Sequence, residues 1–134
     1  DNTYGSRYYV QASQKQGSLT SLRTLILLDL VGDKNLNFRR EANSTRWLTE
    51  AIWSAAKELG YQAYFLNEVM AVEDDHIPFL RYGIPAVNIV DLDYNAWHNP
   101  ADTLEAVREQ SLQIVGEVVL KALREIEQRL ASGR

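Results

Sequence analysis

Thr24-Leu25-Ile26-Leu27-Leu28-Asp29 is a short, continuous apolar run that ends in an acid. Apolar residues in a row without alternation are the pattern of a strand buried on both faces, as in a parallel sheet covered by helices on each side. Asp29 then stands at the carboxyl end of that strand, the edge where open parallel sheets bind their ligands. Upstream, Asn2 or Thr3 is placed to cap a short helix running through Tyr4, Tyr8 and Tyr9 toward Ala12, with a polar loop over residues 13–18. Downstream, residues 30–40 read as a loop. Asn43 or Ser44 then caps a helix whose apolar positions Trp47, Leu48, Ala51, Ile52, Ala55 and Leu59 recur at helical spacing before Gly60 stops it.

The alternation continues to the end of the chain. Residues 61–66 predict a second strand, and Glu73-Asp74-Asp75 opens a short helix with Pro78 near its first turn and Gly83 at its end. Residues 86–90 predict a third strand. Residues 108–130 predict a long amphipathic helix with Leu112, Val115, Val119, Leu123, Ile126 and Leu130 on the face that packs on the sheet. Strands alternating with helices in this way indicate an α/β fold, a three-layer α/β/α sandwich around a mostly parallel sheet.

A chain of 134 residues with 46% apolar and 24% charged content fits a single domain over residues 1–134. The net charge of −4, with Arg39-Arg40 as the longest basic run, argues against a nucleic-acid partner. No apolar run approaches the roughly 20 residues that cross a bilayer, so no membrane partner is expected. Cysteine is absent, which removes disulfides and thiolate metal ligands without fixing the compartment.

The chemistry gathers in two segments, residues 73–80 and 97–103, which hold both histidines and a cluster of acids. Histidine with carboxylate suits zinc, which takes nitrogen and oxygen donors and keeps one position open when catalytic. Asp29, Asp74 and His98 each follow a predicted strand, so the topology brings all three to one sheet edge. Several of these residues have a plainer alternative. Asp29 fits a turn, and one of Asp74 and Asp75 fits a helix N-cap. His76 fits a half-buried histidine or a donor behind the ligands, and Trp97 fits the core as well as a pocket wall. The glycines are scattered, with no phosphate-binding loop and no Gly-x-Ser-x-Gly elbow, which leaves a metal site or no site.

Leu27-Leu28-Asp29-Leu30-Val31-Gly32, the run from Asp74-Asp75-His76-Ile77-Pro78 to Gly83-Ile84-Pro85, and Trp97-His98 occur in that order after an opening Tyr4-Gly5-Ser6-Arg7. Together they resemble glutaminyl cyclase and its relatives among the zinc-dependent aminopeptidases, from the first residue to about Leu123. The resemblance implies that His98 is a zinc ligand. It implies that Asp29 binds a second zinc in the peptidases or contacts substrate in the one-zinc cyclases, that Asp74 is an active-site acid, and that Trp97 lines the substrate pocket. It also implies a peptide substrate, one or two zinc ions in the complete domain, and a secreted or periplasmic setting.

In the family, a His, a bridging Asp and a Glu-Glu pair lie upstream of the Tyr-Gly-Ser-Arg segment, whereas this sequence starts at Asp1. The expectation is therefore the C-terminal part of a zinc-exopeptidase-like catalytic domain, inactive and without tight zinc binding when isolated. Self-association through an uncovered sheet edge is expected with it. Aminopeptidase-type hydrolysis by a zinc-activated water is the leading activity. Glutaminyl-peptide cyclisation and a non-catalytic binding domain of the same fold are the alternatives.

Overall fold

The structure, a computed structural model, describes residues 2–133. Along the chain lie α1 (Tyr4–Lys15), β1 (Leu25–Asp29), β2 (Phe38–Glu41), α2 (Arg46–Glu58), β3 (Phe65–Met70), α3 (His76–Arg81), β4 (Ala86–Val90) and α4 (Glu109–Ala131). Strand β1 pairs in parallel with β4, Leu25 opposite Ala86 and Asp29 opposite Val90. Strand β2 pairs in parallel with β3 from Phe38 opposite Phe65 to Glu41 opposite Met70. The parallel α/β expectation therefore holds.

Three layers follow from the alternation of side chains along β4. Val87 and Ile89 join Phe38, Leu48, Ile52, Ile114, Val118 and Ile126 in a core beneath α2 and α4. Ala86, pointing the other way, joins Val10, Phe79 and Ile84 beneath α1 and α3. All five residues of β4 are buried, as a strand covered on both faces requires. Between β4 and the chain flanking β2, one backbone bond, from the Thr45 amide to the Ala86 carbonyl at 2.7 Å, is joined by bonds through side chains. The Asn88 amide donates to Ser44 Oγ at 3.0 Å, the Ala86 amide to Thr45 Oγ1 at 3.0 Å, and the Asn37 amide to Asp91 Oδ2 at 2.8 Å.

Several boundaries differ from those the sequence predicts. The stretch read as a loop at residues 30–40 contains the start of β2, whose buried ends are Phe38 and Glu41. The second strand starts at Phe65 instead of residue 61, because the Tyr61 amide closes α2 on Ala56 and the Tyr64 amide bonds Tyr61. Helix α1 runs on to Lys15, into the predicted loop. Helix α2 begins at Arg46 behind Thr45, because Asn43 and Ser44 spend their side chains on Glu41 instead of capping. In α4 the buried stripe is Ile114, Val115, Val118, Ala122 and Ile126, while Leu112 is half exposed. Strand β1 is only half buried, with Leu28 exposed, because β4 is its sole strand neighbour among the described residues.

The turn after β1 is fastened to the start of α4. Arg108 donates its amide to the Gly32 carbonyl at 2.9 Å, and Ser111 Oγ donates to the Asp33 carbonyl at 2.6 Å. A Cβ on Gly32 would meet Val107 Cγ1 at 2.8 Å. Gly32→Ala is therefore expected to lower stability by about 1–3 kcal/mol through overpacking against a side chain that is stiff at χ1. Urea titration checks this, and Val107→Ala in the same chain should restore most of the loss.

Candidate functional site

Asp29 closes β1, and the next residue, Leu30, has φ 53°, a left-handed conformation that a branched residue rarely adopts. The Leu30 amide lies on the Asp29 carboxylate's side and acts to lower its pKa. The Asp29 pKa is raised, first by burial and then by the nearby charges of Asp74 and Asp75, against the lowering effect of the Leu30 amide. The structure thus brings Asp29 and the acids preceding α3 into one electrostatic neighbourhood.

Asp74 is held on two sides. Its Oδ1 accepts the Asp75 amide at 2.7 Å, and its Oδ2 accepts Asn88 Nδ2 at 2.9 Å. Asn88 lies in the middle of β4 and is 1% exposed, so its side chain has little freedom to release that bond. Asp75 occupies the N-cap position of α3 without a side-chain cap, and its carboxylate accepts Ser6 Oγ from α1 at 2.6 Å. The tie between α1 and α3 replaces the capping role that sequence position suggests.

His76 is fully buried instead of half buried, with Nε2 3.0 Å from Glu41 Oε2. Glu41 is the acceptor for much of its surroundings. Oε1 takes the Asn43 amide, Asn43 Nδ2 and the Val72 amide; Oε2 takes the Ser44 amide at 2.7 Å and Ser44 Oγ at 2.9 Å. Burial pushes the Glu41 pKa up, but the His76 bond and the Asn43 and Ser44 donors more than offset it, leaving it at about 2.

Trp97 and His98 stand on an exposed loop, with ring centroids 4.5 Å apart and planes 41° apart. Trp97 is 48% exposed, so the core alternative does not describe it. His98 has φ 57°, the second non-glycine residue in the left-handed region among the described residues. Such backbone costs of order 1–3 kcal/mol and persists where surrounding contacts enforce it. Here the loop is cinched at its ends. Tyr94 OH donates to an Asp102 oxygen, the Trp97 amide bonds the Tyr94 carbonyl, and the Asn99 amide bonds the Ala96 carbonyl. The Asp102 bond, followed by burial, pushes the Tyr94 pKa up to about 12.

Among the described residues, no group of three His, Cys, Asp or Glu side chains is placed to hold a metal ion. Zinc takes four donors, so His98 and Asp29 do not make a zinc centre from this set alone. A cleft of about 330 Å³, lined by Asp33, Lys34, Asn37, Asp93, Tyr94 and Glu105, adjoins the start of this loop, and none of Asp29, Asp74, Trp97 and His98 lines it. Sequence reasoning passed over Glu41, Asn88 and Tyr94. Asn88 had a signal, an amide in the middle of an apolar strand; Glu41 and Tyr94 acquire their meaning from partners far along the chain or across a loop.

Glutaminyl-peptide cyclotransferase of Boiga dendrophila is 28% identical over 141 aligned residues, which cover 89% of this chain and 38% of that protein. The crystal structure of an Acidobacteriales bacterium glutaminyl cyclase superposes with a TM-score of 0.92 at 39% identity, covering 96% of this chain and 47% of that one. A Zn-dependent exopeptidase of Parabacteroides distasonis superposes with a TM-score of 0.78 at 29% identity, covering 87% and 44%. The chain therefore spans under half the length of these relatives and carries the fold they share. Residues 1–123 match the model of peptidase family M28, and the chain belongs to that family.

Proposed function

We propose that these residues are part of a glutaminyl-peptide cyclotransferase, which closes an N-terminal glutamine onto its own α-amine and releases ammonia. The observation that carries this reading over hydrolysis is the likeness to the Acidobacteriales glutaminyl cyclase, stronger in both identity and superposition than that to the exopeptidase. In the reaction a bond forms between the α-nitrogen and the side-chain carbonyl carbon, the bond from that carbon to the amide nitrogen breaks, and the α-amine proton ends on the departing ammonia. A carboxyl whose pKa is raised is suited to share that proton, and Asp29 is such a group. Asp29 accepts a hydrogen bond from the attacking amine and orients it, Asp74 fixes the charge beside it, and the half-exposed Trp97 ring walls the glutamine side chain. Zinc belongs to this reading as a property of the full domain, with His98 as the nitrogen donor that this chain offers.

Hydrolysis of N-terminal residues is the second reading, supported by the exopeptidase likeness. The full-length gene product containing these residues is offered a peptide beginning with glutamine and, separately, a leucine anilide. Ammonia release without anilide cleavage is the expected result. Anilide cleavage without ammonia establishes the peptidase, and inactivity on both favours a binding domain.

A further inference from the structure

Glu41 plays no part in the roles assigned above, yet its side chain is fully buried and accepts six hydrogen bonds. Two routes lead from it to Asp74. Ser44 Oγ, which donates to Glu41 Oε2 at 2.9 Å, accepts the Asn88 amide at 3.0 Å, and the Asn88 side chain donates to Asp74 Oδ2 at 2.9 Å. On the other route, His76 is bonded to the same Oε2 and lies two residues beyond Asp74, so it pins the start of α3. The Val72 amide, on the approach to Asp74, completes the clamp on Oε1.

We propose that Glu41 is a positioning residue, holding Asp74 in place through Ser44 and Asn88 on one side and through His76 on the other. The proposal rests on the role given to Asp74 under the cyclase reading. A carboxylate is suited to the task because all six partners donate to it, and its two oxygens accept them without any reorientation that a hydroxyl or amide would need. Among the described residues the Glu41 side chain bonds only Asn43, Ser44, Val72 and His76, so its effect reaches Asp74 through these partners.

The test reads the Asp74 bonds directly. In the 134-residue chain labelled for NMR, the Asn88 side-chain amide and the Asp75 backbone amide should show downfield, slowly exchanging resonances, since both donate to Asp74. Glu41→Gln puts an amide group where every neighbour is a donor, and is expected to abolish both signatures. Ser44→Ala cuts one route while leaving the His76 bond, and is expected to abolish the Asn88 signature alone; it keeps the proposal testable where Glu41→Gln fails to fold. A purely structural role would lower the melting temperature and leave both resonances in place, and that result in a folded variant would overturn the proposal. In the full-length gene product, Glu41→Gln should lower kcat for ammonia release at least tenfold with KM little changed. Loss of the NMR signatures together with full activity of Asp74→Asn would leave the positioning intact and sink the cyclase role of Asp74.

Discussion

On the cyclase reading, Asp74→Asn in the full-length gene product is expected to slow ammonia release from an N-terminal glutamine peptide by on the order of 10²-fold, the cost of a misplaced reacting group, because Asp74 fixes the charge beside Asp29. The substitution preserves size but removes the negative charge, and with it one of the two influences that keep the Asp29 pKa up most. Burial is the larger cause and remains, so Asp29 should stay raised, only less so. The sign is then definite. With a like charge gone, Asp29 ionises at lower pH, and the acidic limb of the rate profile moves to lower pH in the variant. Measuring kcat across the acid range for both proteins separates this from simple unfolding, which would shrink the profile without moving it. Activity within a few-fold of the unsubstituted protein would remove Asp74 from the reaction.

What the sequence makes legible here depends on whether the relevant contact is local. The apolar run before Asp29, the five residues of β4 and the Gly60 stop of α2, with φ +81°, all follow from short-range rules, and each stands where those rules put it. Strand β2 escapes them because its two buried residues are a phenylalanine and a glutamate flanking Arg39-Arg40, so no apolar period is visible. The buried glutamate becomes intelligible only with His76, 35 residues away, facing it. The α4 stripe misleads for a related reason. Ala122 is small and Ile114 and Val118 are interleaved with leucines that stay partly exposed, so hydrophobicity alone does not pick the packed face. At the site, the acids were visible as acids and His98 as a histidine. The left-handed backbone at Leu30 and His98 has no counterpart in residue type, since neither leucine nor histidine announces it.

Acid unfolding should be steeper in this protein than in its Glu41→Gln variant, and the difference should fall between pH 4.5 and about 2. The folded pKa of Glu41 lies at about 2, below the ordinary 4.5, so the unfolded chain takes up this proton first as pH falls. The stabilisation is therefore present in full above pH 4.5 and disappears as pH drops through the folded value. A shift of that size corresponds to roughly 3 kcal/mol, and the fully buried side chain leaves little solvent screening to reduce it. Asp29 and Asp91 work in the opposite direction. Their pKa values are raised, chiefly by burial, so they hold protons more readily in the folded state and gain stability on acidification. Both groups are present in either protein, so urea unfolding free energies compared at each pH isolate Glu41. His76→Gln supplies the internal control, because the His76 bond is the first of the influences holding the Glu41 pKa down; its loss should flatten the same pH dependence part of the way. Equal slopes for the unsubstituted chain and Glu41→Gln would mean that the buried carboxylate contributes nothing to stability as a charge.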